Sequence, residues 1–224
     1  SGAYVVSLNT DPKILITKSD GSYLYLTTDL ATVINRKSQN FDTVLYVVDK
    51  RQSLHFNQLF QCVEYFGIDN ADFQHIAFGT VNDSLGNPFK TREGGTKKLI
   101  DLFDETKDYI KDINKKLSDS TVNILANTIL TYSDLITNRK TDYKFDLEKF
   151  SNISGKTGIY VQYALVRAKT LFHKSELKLK KEFYTTKLDE KDLSLIHSLM
   201  KFEIYFEQSL NNIEPHHLAD YLYE

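Results

Sequence analysis

What most restricts the fold of this 224-residue chain is a change of hydrophobic rhythm near residue 96. Ahead of that point apolar residues come in short runs separated by turn formers, and seven of the nine glycines lie there. Behind it apolar residues recur at helical spacing, with only Gly155, Gly158 and one proline, Pro215, to interrupt them. A period of two builds strands and a period of 3.6 builds helix stripes, so two architectures share the chain.

In the front part, Ile14 to Thr17 and Tyr23 to Leu26 flank Asp20-Gly21 and read as the arms of a hairpin. Thr27 or Thr28 is expected to cap a helix to about Lys37, with Asp29 in the first turn, where a carboxylate suits the helix dipole. Thr43 to Val48 is an apolar run typical of a buried parallel strand. A helix from about Ser53 to Phe66 should stop at Gly67, and Phe73 to Val81 is a further strand. Strand, helix and strand in alternation indicate α/β layering with a parallel component. In the rear part, Leu99 to Ile113, Val122 to Ile136, Tyr160 to Phe172 and Leu193 to Leu210 carry helical stripes, as a bundle requires. Glu214-Pro215 opens a last helix. The chain starts in strand-like sequence at Tyr4-Val5-Val6 and stops inside that last helix, so both ends read as cuts in a longer sequence; a naturally short last helix is the other reading.

Composition narrows the class. With 41% hydrophobic and 26% charged residues and a net charge of -2, the chain is neither disordered nor of one sign. Cys62 stands alone, which excludes a disulfide framework and a cysteine-cluster metal site and points to an intracellular setting. No apolar run reaches membrane-spanning length, so no membrane partner is expected.

Three clusters carry candidate chemistry. Tyr25 and Asp29 are placed at the carboxyl edge of the sheet, where open α/β folds bind ligands. A carboxylate is the bidentate partner of a planar guanidinium, and a phenol adds orientation; the alternative is an aspartate that only serves the dipole. Gln52 and His55 follow the next strand on the same edge, either as ligand groups or as helix caps and a satisfied helix histidine. The loop Pro88-Phe89-Lys90-Thr91-Arg92-Glu93-Gly94-Gly95-Thr96 joins two cations to paired glycines and reads as a phosphate clamp or as a solvated surface loop. It is not a P-loop, because Lys90 precedes the glycines. In the rear part, Arg167 to Lys187 holds seven basic and two acidic side chains, with Phe172, Phe183 and Tyr184 among them.

Lys18-Ser19-Asp20-Gly21, Tyr25-Leu26-Thr27-Thr28-Asp29-Leu30-Ala31, Tyr46 to His55, His75-Ile76-Ala77-Phe78-Gly79 and the Pro88 to Gly95 loop resemble, in that order, arginyl-tRNA synthetases. The resemblance continues through Lys98 to Glu105, Asn138 to Tyr143, Gly155 to Arg167 and Glu214 to Leu222, so it covers nearly the whole chain. It implies α/β followed by all-α: part of a Rossmann-like class I catalytic domain over 1–105, then a helical anticodon-binding bundle over 106–224, truncated at its C-terminus. It implies activation of arginine by ATP, with Mg2+ accompanying the nucleotide and no tightly bound cofactor, and transfer to tRNA by a monomer. It places arginine at Tyr25, Asp29 and Gln52, and the adenine at His75, Phe78 and Gly79. Lys90 and Arg92 become catalytic phosphate contacts in the loop that stands for the class I K-M-S-K-S signature, with Arg92 where that signature has lysine. Gly155, Lys156, Tyr160, Tyr163 and Arg167 become tRNA contacts, the last three on one helix face, where rings and a guanidinium suit unstacked bases. The tyrosines are otherwise core residues and Arg167 a pairing partner within the bundle. No protein-bound metal is implied.

The H-I-G-H signature of class I synthetases does not occur; the only adjacent histidines, His216-His217, lie in the helical part. These residues alone are therefore expected to be inactive, because transition-state stabilisation worth several kcal/mol is not assembled. A non-catalytic RNA-binding paralogue is the alternative.

Overall fold

A computed structural model describes residues 2–8, 13–68, 71–83, 85–87, 97–176 and 187–224. It forms two compact units, Ser1–Gly79 and Thr80–Glu224.

In the front unit β1 (Tyr4–Val6) pairs antiparallel with β2 (Ile14–Thr17). The turn after β2 is tied by Asp20, whose carboxylate accepts from the Ser22 amide and hydroxyl at 2.9 and 2.6 Å. The second arm expected over Tyr23 to Leu26 reduces to one bridge, Thr17 to Tyr23, and helix α1 (Tyr25–Lys37) takes the rest. Leu24 is the extended residue that starts it, because its carbonyl accepts from the Thr27 and Thr28 amides. Neither threonine caps: Thr27 donates to the Ile16 carbonyl of β2 and Thr28 to the Tyr25 carbonyl. Tyr25 is thus the first residue of a helix rather than the end of a strand, and Asp29 falls outside the first turn.

Leu26, Leu30 and Val33 form the buried stripe of α1. Strand β3 (Thr43–Asp49) runs parallel to β4 (Asp72–Phe78), with seven residue pairs from Thr43↔Asp72 to Asp49↔Phe78. A 3-10 turn, Lys50–Gln52, and helix α2 (Ser53–Tyr65) connect them. The chain leaves α2 through Gly67 at φ +64°, a conformation that glycine adopts without a Cβ penalty. Phe56, Leu59, Cys62 and Val63 of α2 meet Leu30 and Val33 of α1, and Tyr46, Val48 and Phe73 of the sheet pack on this core. β3 is therefore not buried on both faces as its apolar run suggests. Leu45 and Val47 are exposed, because both helices cover the face carrying Tyr46 and Val48. The strand expected over Phe73 to Val81 also breaks after Phe78.

In the rear unit β5 (Val81–Asn82) pairs in parallel with β6 (Tyr143–Lys144). Helix α3 (Leu99–Ile113) matches its apolar stripe to the residue, and α4 (Asp119–Leu135) is capped by the Ser118 hydroxyl. Ile110, Val122, Ala126 and Ile129 form the core with Phe145 and with Phe150 of α5 (Leu147–Phe150). Helix α6 (Gly158–Lys174) starts against α4: a Cβ at Gly158 would lie 2.7 Å from the Thr128 carbonyl oxygen and 2.8 Å from Tyr132 Cβ. The single helix expected over Leu193 to Leu210 is two, α7 (Glu190–Met200) and α8 (Phe202–Asn212). At the break the Leu199 carbonyl accepts from the Tyr221 phenol at 3.4 Å, and the Lys201 amide is shared between the His197 and Ser198 carbonyls. A bond from elsewhere in the chain and an amide shared between two carbonyls mark the break. Helix α9 (His216–Tyr223) follows Pro215. Among the described residues no helix is long and apolar enough to cross a membrane.

Candidate ligand and nucleic-acid sites

The front candidate site stands where the parallel pair ends. Asp49 and Phe78 are register partners, so Gln52 in the turn after β3 and Gly79 after β4 leave the sheet at the same edge. Asp49 fixes that turn by accepting from the Arg51 backbone amide, Nε and Nη2 at 2.8, 2.9 and 2.7 Å. Tyr25 and Gln52 stand at the N-terminal ends of α1 and α2, both exposed, Tyr25 at 87%.

Between the same two helices runs a bond that the residue spacing does not announce. His55 Nε2 lies 2.7 Å from Asp29 Oδ2, across 26 residues of sequence. A carboxylate only accepts, so this nitrogen carries the proton. The two side chains are 27% and 43% exposed respectively, which leaves the carboxylate open to a ligand. His75 of β4 stacks on Phe56 at 4.5 Å between centroids, and its Nε2 lies 3.0 Å from the Val48 carbonyl. That carbonyl also only accepts, so His75 Nε2 carries a proton there. The loop with Lys90 and Arg92 lies outside the described residues.

In the rear unit Gly155 turns the chain at φ +83°, and Thr157 caps α6 by accepting from the Tyr160 amide at 3.1 Å. Lys156 pairs with Asp220 of α9 at 2.6 Å and lies 5.8 Å from the Tyr223 ring centre. The bond to Asp220 pushes the lysine pKa up. Tyr160 tilts against the same Tyr223 at 5.2 Å. Further along α6 the Arg167 guanidinium stands over the Tyr163 ring at 5.7 Å, both side chains exposed. Four of the five candidate tRNA residues therefore fall into two sets, Lys156 and Tyr160 in contact with α9 and Tyr163 with Arg167 on each other, while Gly155 makes the turn. Residue patterns gave no sign of Asp220 or Tyr223, which lie more than sixty positions away. Of the basic segment, Phe183 and Tyr184 lie outside the described residues.

Among the described residues Glu214, His216 and His217 form a group able to offer three metal-ligating atoms within 4.8 Å. Lys140 already pairs with Glu214 at 2.8 Å and holds its carboxyl below the usual carboxylate range, while Arg139 donates to the neighbouring Ile213 carbonyl at 2.8 Å. Two cations so close disfavour a third.

Comparison with known proteins first defines the class. Residues 1–147 match the family described as tRNA synthetases class I (R), catalytic domain, and residues 161–224 match the DALR anticodon binding domain. The fold is thus a class I synthetase catalytic portion followed by a helical domain. The sequence is 40% identical over 239 residues to an arginine–tRNA ligase of Francisella tularensis subsp. tularensis (strain FSC 198), covering 99% of this chain and 40% of that one. To the arginine–tRNA ligase of Agathobacter rectalis it is 36% identical over 250 residues, covering 100% of this chain and 42% of the relative. Plasmodium falciparum arginyl-tRNA synthetase superposes with a TM-score of 0.79 at 28% identity, over 99% of this chain and 39% of its own. The Thermus thermophilus arginyl-tRNA synthetase gives 0.78 at 19% identity, over 99% and 44%, a likeness of fold. This chain belongs to the class I arginyl-tRNA synthetase family, and it spans about two fifths of the length of the curated relatives it matches.

Proposed function

We propose that the chain supplies the arginine pocket, the adenine side of the ATP site and the anticodon-binding helices of an arginine–tRNA ligase. The observation that carries the proposal is the Asp29 carboxylate, held between α1 and α2 beside the carboxyl edge of a parallel strand pair. A fixed, partly shielded carboxylate meets a planar guanidinium through two parallel hydrogen bonds and selects it over other side chains. Tyr25 and Gln52, at the starts of the two helices, orient the rest of the amino acid. ATP enters as its magnesium complex, with its adenine beside His75, Phe78 and Gly79 and its phosphates met by Lys90 and Arg92. The arginine carboxylate attacks the α-phosphorus, the bond to pyrophosphate breaks, and the arginyl-adenylate forms. A hydroxyl of the terminal adenosine of the tRNA then attacks the acyl carbon and AMP leaves.

The functional division falls at residues 1–105 and 106–224, with Gly155, Lys156, Tyr160, Tyr163 and Arg167 as the tRNA contacts. The ligase works as a cytoplasmic monomer, and the 224 residues alone do not form the adenylate. Arginine-dependent ATP–pyrophosphate exchange tests this. The complete ligase should exchange and the isolated chain should not; a complete polypeptide without exchange that still binds tRNA would instead be an RNA-binding paralogue.

A further inference from the structure

We infer that His55 is a positioning residue of the arginine pocket, holding the Asp29 carboxylate in the orientation that a guanidinium needs. The inference rests on the proposed pocket and names the group that sets its geometry. Asp29 sits on a helix surface with its side chain nearly half exposed, where an aspartate would otherwise turn among several rotamers. Among the described residues His55 is the side chain that bonds it, through Nε2 to Oδ2 at 2.7 Å. A carboxylate has about four acceptor directions, so one bond to Oδ2 leaves Oδ1 and the second lone pair of Oδ2 for both arms of a guanidinium.

His55 is itself fixed from the core side. Its ring stands edge-on to buried Phe56, with centroids 5.3 Å apart and planes at 85°. Phe56 stacks on His75, which is tied to the Val48 carbonyl of β3. The carboxylate is therefore referenced through two aromatic contacts to the parallel strand pair rather than left to the surface of α1. A ligand that finds its partner already oriented loses less binding energy to ordering it.

The experiment is steady-state kinetics of the complete ligase with His55→Ala, His55→Gln and His55→Asn, alongside Asp29→Asn. Losing a charge-assisted bond should raise the arginine KM of the alanine variant about tenfold, with kcat and the ATP KM unchanged. Glutamine places its amide nitrogen where histidine has Nε2, whereas asparagine reaches only the place of Nδ1, so His55→Gln should recover most of the arginine KM and His55→Asn should not. A general packing role would predict no such split. Unchanged arginine KM in His55→Ala, equal behaviour of the two amide variants, or a joint loss of kcat and both KM values overturns the inference. If Asp29→Asn itself leaves the arginine KM alone, the pocket has been misplaced; if it raises that KM while His55→Ala does not, only the role of His55 falls.

Discussion

The two units hold their candidate recognition groups in different ways. In the front unit one charged group, Asp29, is bonded by a neighbouring helix and left partly exposed, while Tyr25 and Gln52 stand exposed at the starts of the same two helices. In the rear unit the charge nearest the start of α6, Lys156, is bonded to Asp220 and lies beside the Tyr223 ring while its side chain stays exposed, and Tyr163 with Arg167 forms a second exposed pair further along α6. A small ligand with one planar cation is best met by one preset anion, because each rotor frozen in advance is not charged to binding. A single-stranded nucleic acid is met differently, by rings and cations spread along a face, since each base offers a surface and each phosphate a charge. In the front unit a single helix-to-helix bond orients one candidate carboxylate, whereas in the rear unit candidate rings and cations are spread along α6.

The strongest way to break this contrast is Asp29→Asn. Arginine KM in the complete ligase should rise on the order of a hundredfold, as loss of a buried or half-buried charge partner implies, with ATP KM little changed. A small rise would mean that the front unit also spreads its recognition. Next is Gly158→Ala, which should destabilise the rear unit by about 1–3 kcal/mol through forced separation of α4 and α6; thermal unfolding measures it, and an unshifted midpoint would deny the close approach. Tyr163→Ala should raise the tRNA KM roughly tenfold while arginine and ATP constants stay fixed, and equal loss for all three substrates would erase the distinction between the units. The last effect is alkaline. Burial pushes the Tyr132 phenol up to about 12, and its hydroxyl donates to the Ala219 carbonyl at 2.9 Å. A raised acid of this kind contributes stability that is whole below the unfolded value near 10 and is lost as pH rises through 12. Tyr132→Phe should flatten the loss of stability across that interval in denaturant titrations.

Much of the backbone was open to inference because its causes are local. The stripe from Leu99 to Ile113 gives α3 its bounds, Gly67 ends α2, and Thr43 to Val48 forms a strand paired in parallel. Departures arise where a distant group outbids a local one. Thr27 looks like a cap but spends its hydroxyl on β2, and the helix expected through Lys201 parts where Tyr221 reaches the Leu199 carbonyl. The apolar run of β3 says that the strand is hydrophobic, yet helix placement decides which face is covered. The sites follow the same rule. The carboxylate and the guanidinium chemistry can be read from residue type, whereas His55 as partner of Asp29, and Asp220 as partner of Lys156, depend on pairs 26 and 64 positions apart.

The pairing of Asp49 with Phe78 sets more than a sheet. Of the proposed arginine groups, Gln52 leaves the strand pair just beyond the first residue, and Phe78 and Gly79 of the proposed adenine groups stand at and beyond the second, so the register of β3 on β4 is a gauge for the separation of these groups, and through them of two ligands. That gauge moves only in coarse steps. A slip of one residue turns His75 to the opposite face, and the next register that restores it shifts the two edges by about 6.6 Å. Spacing between the amino acid and the nucleotide is in this sense quantised, and finer adjustment is left to side chains rather than to strands.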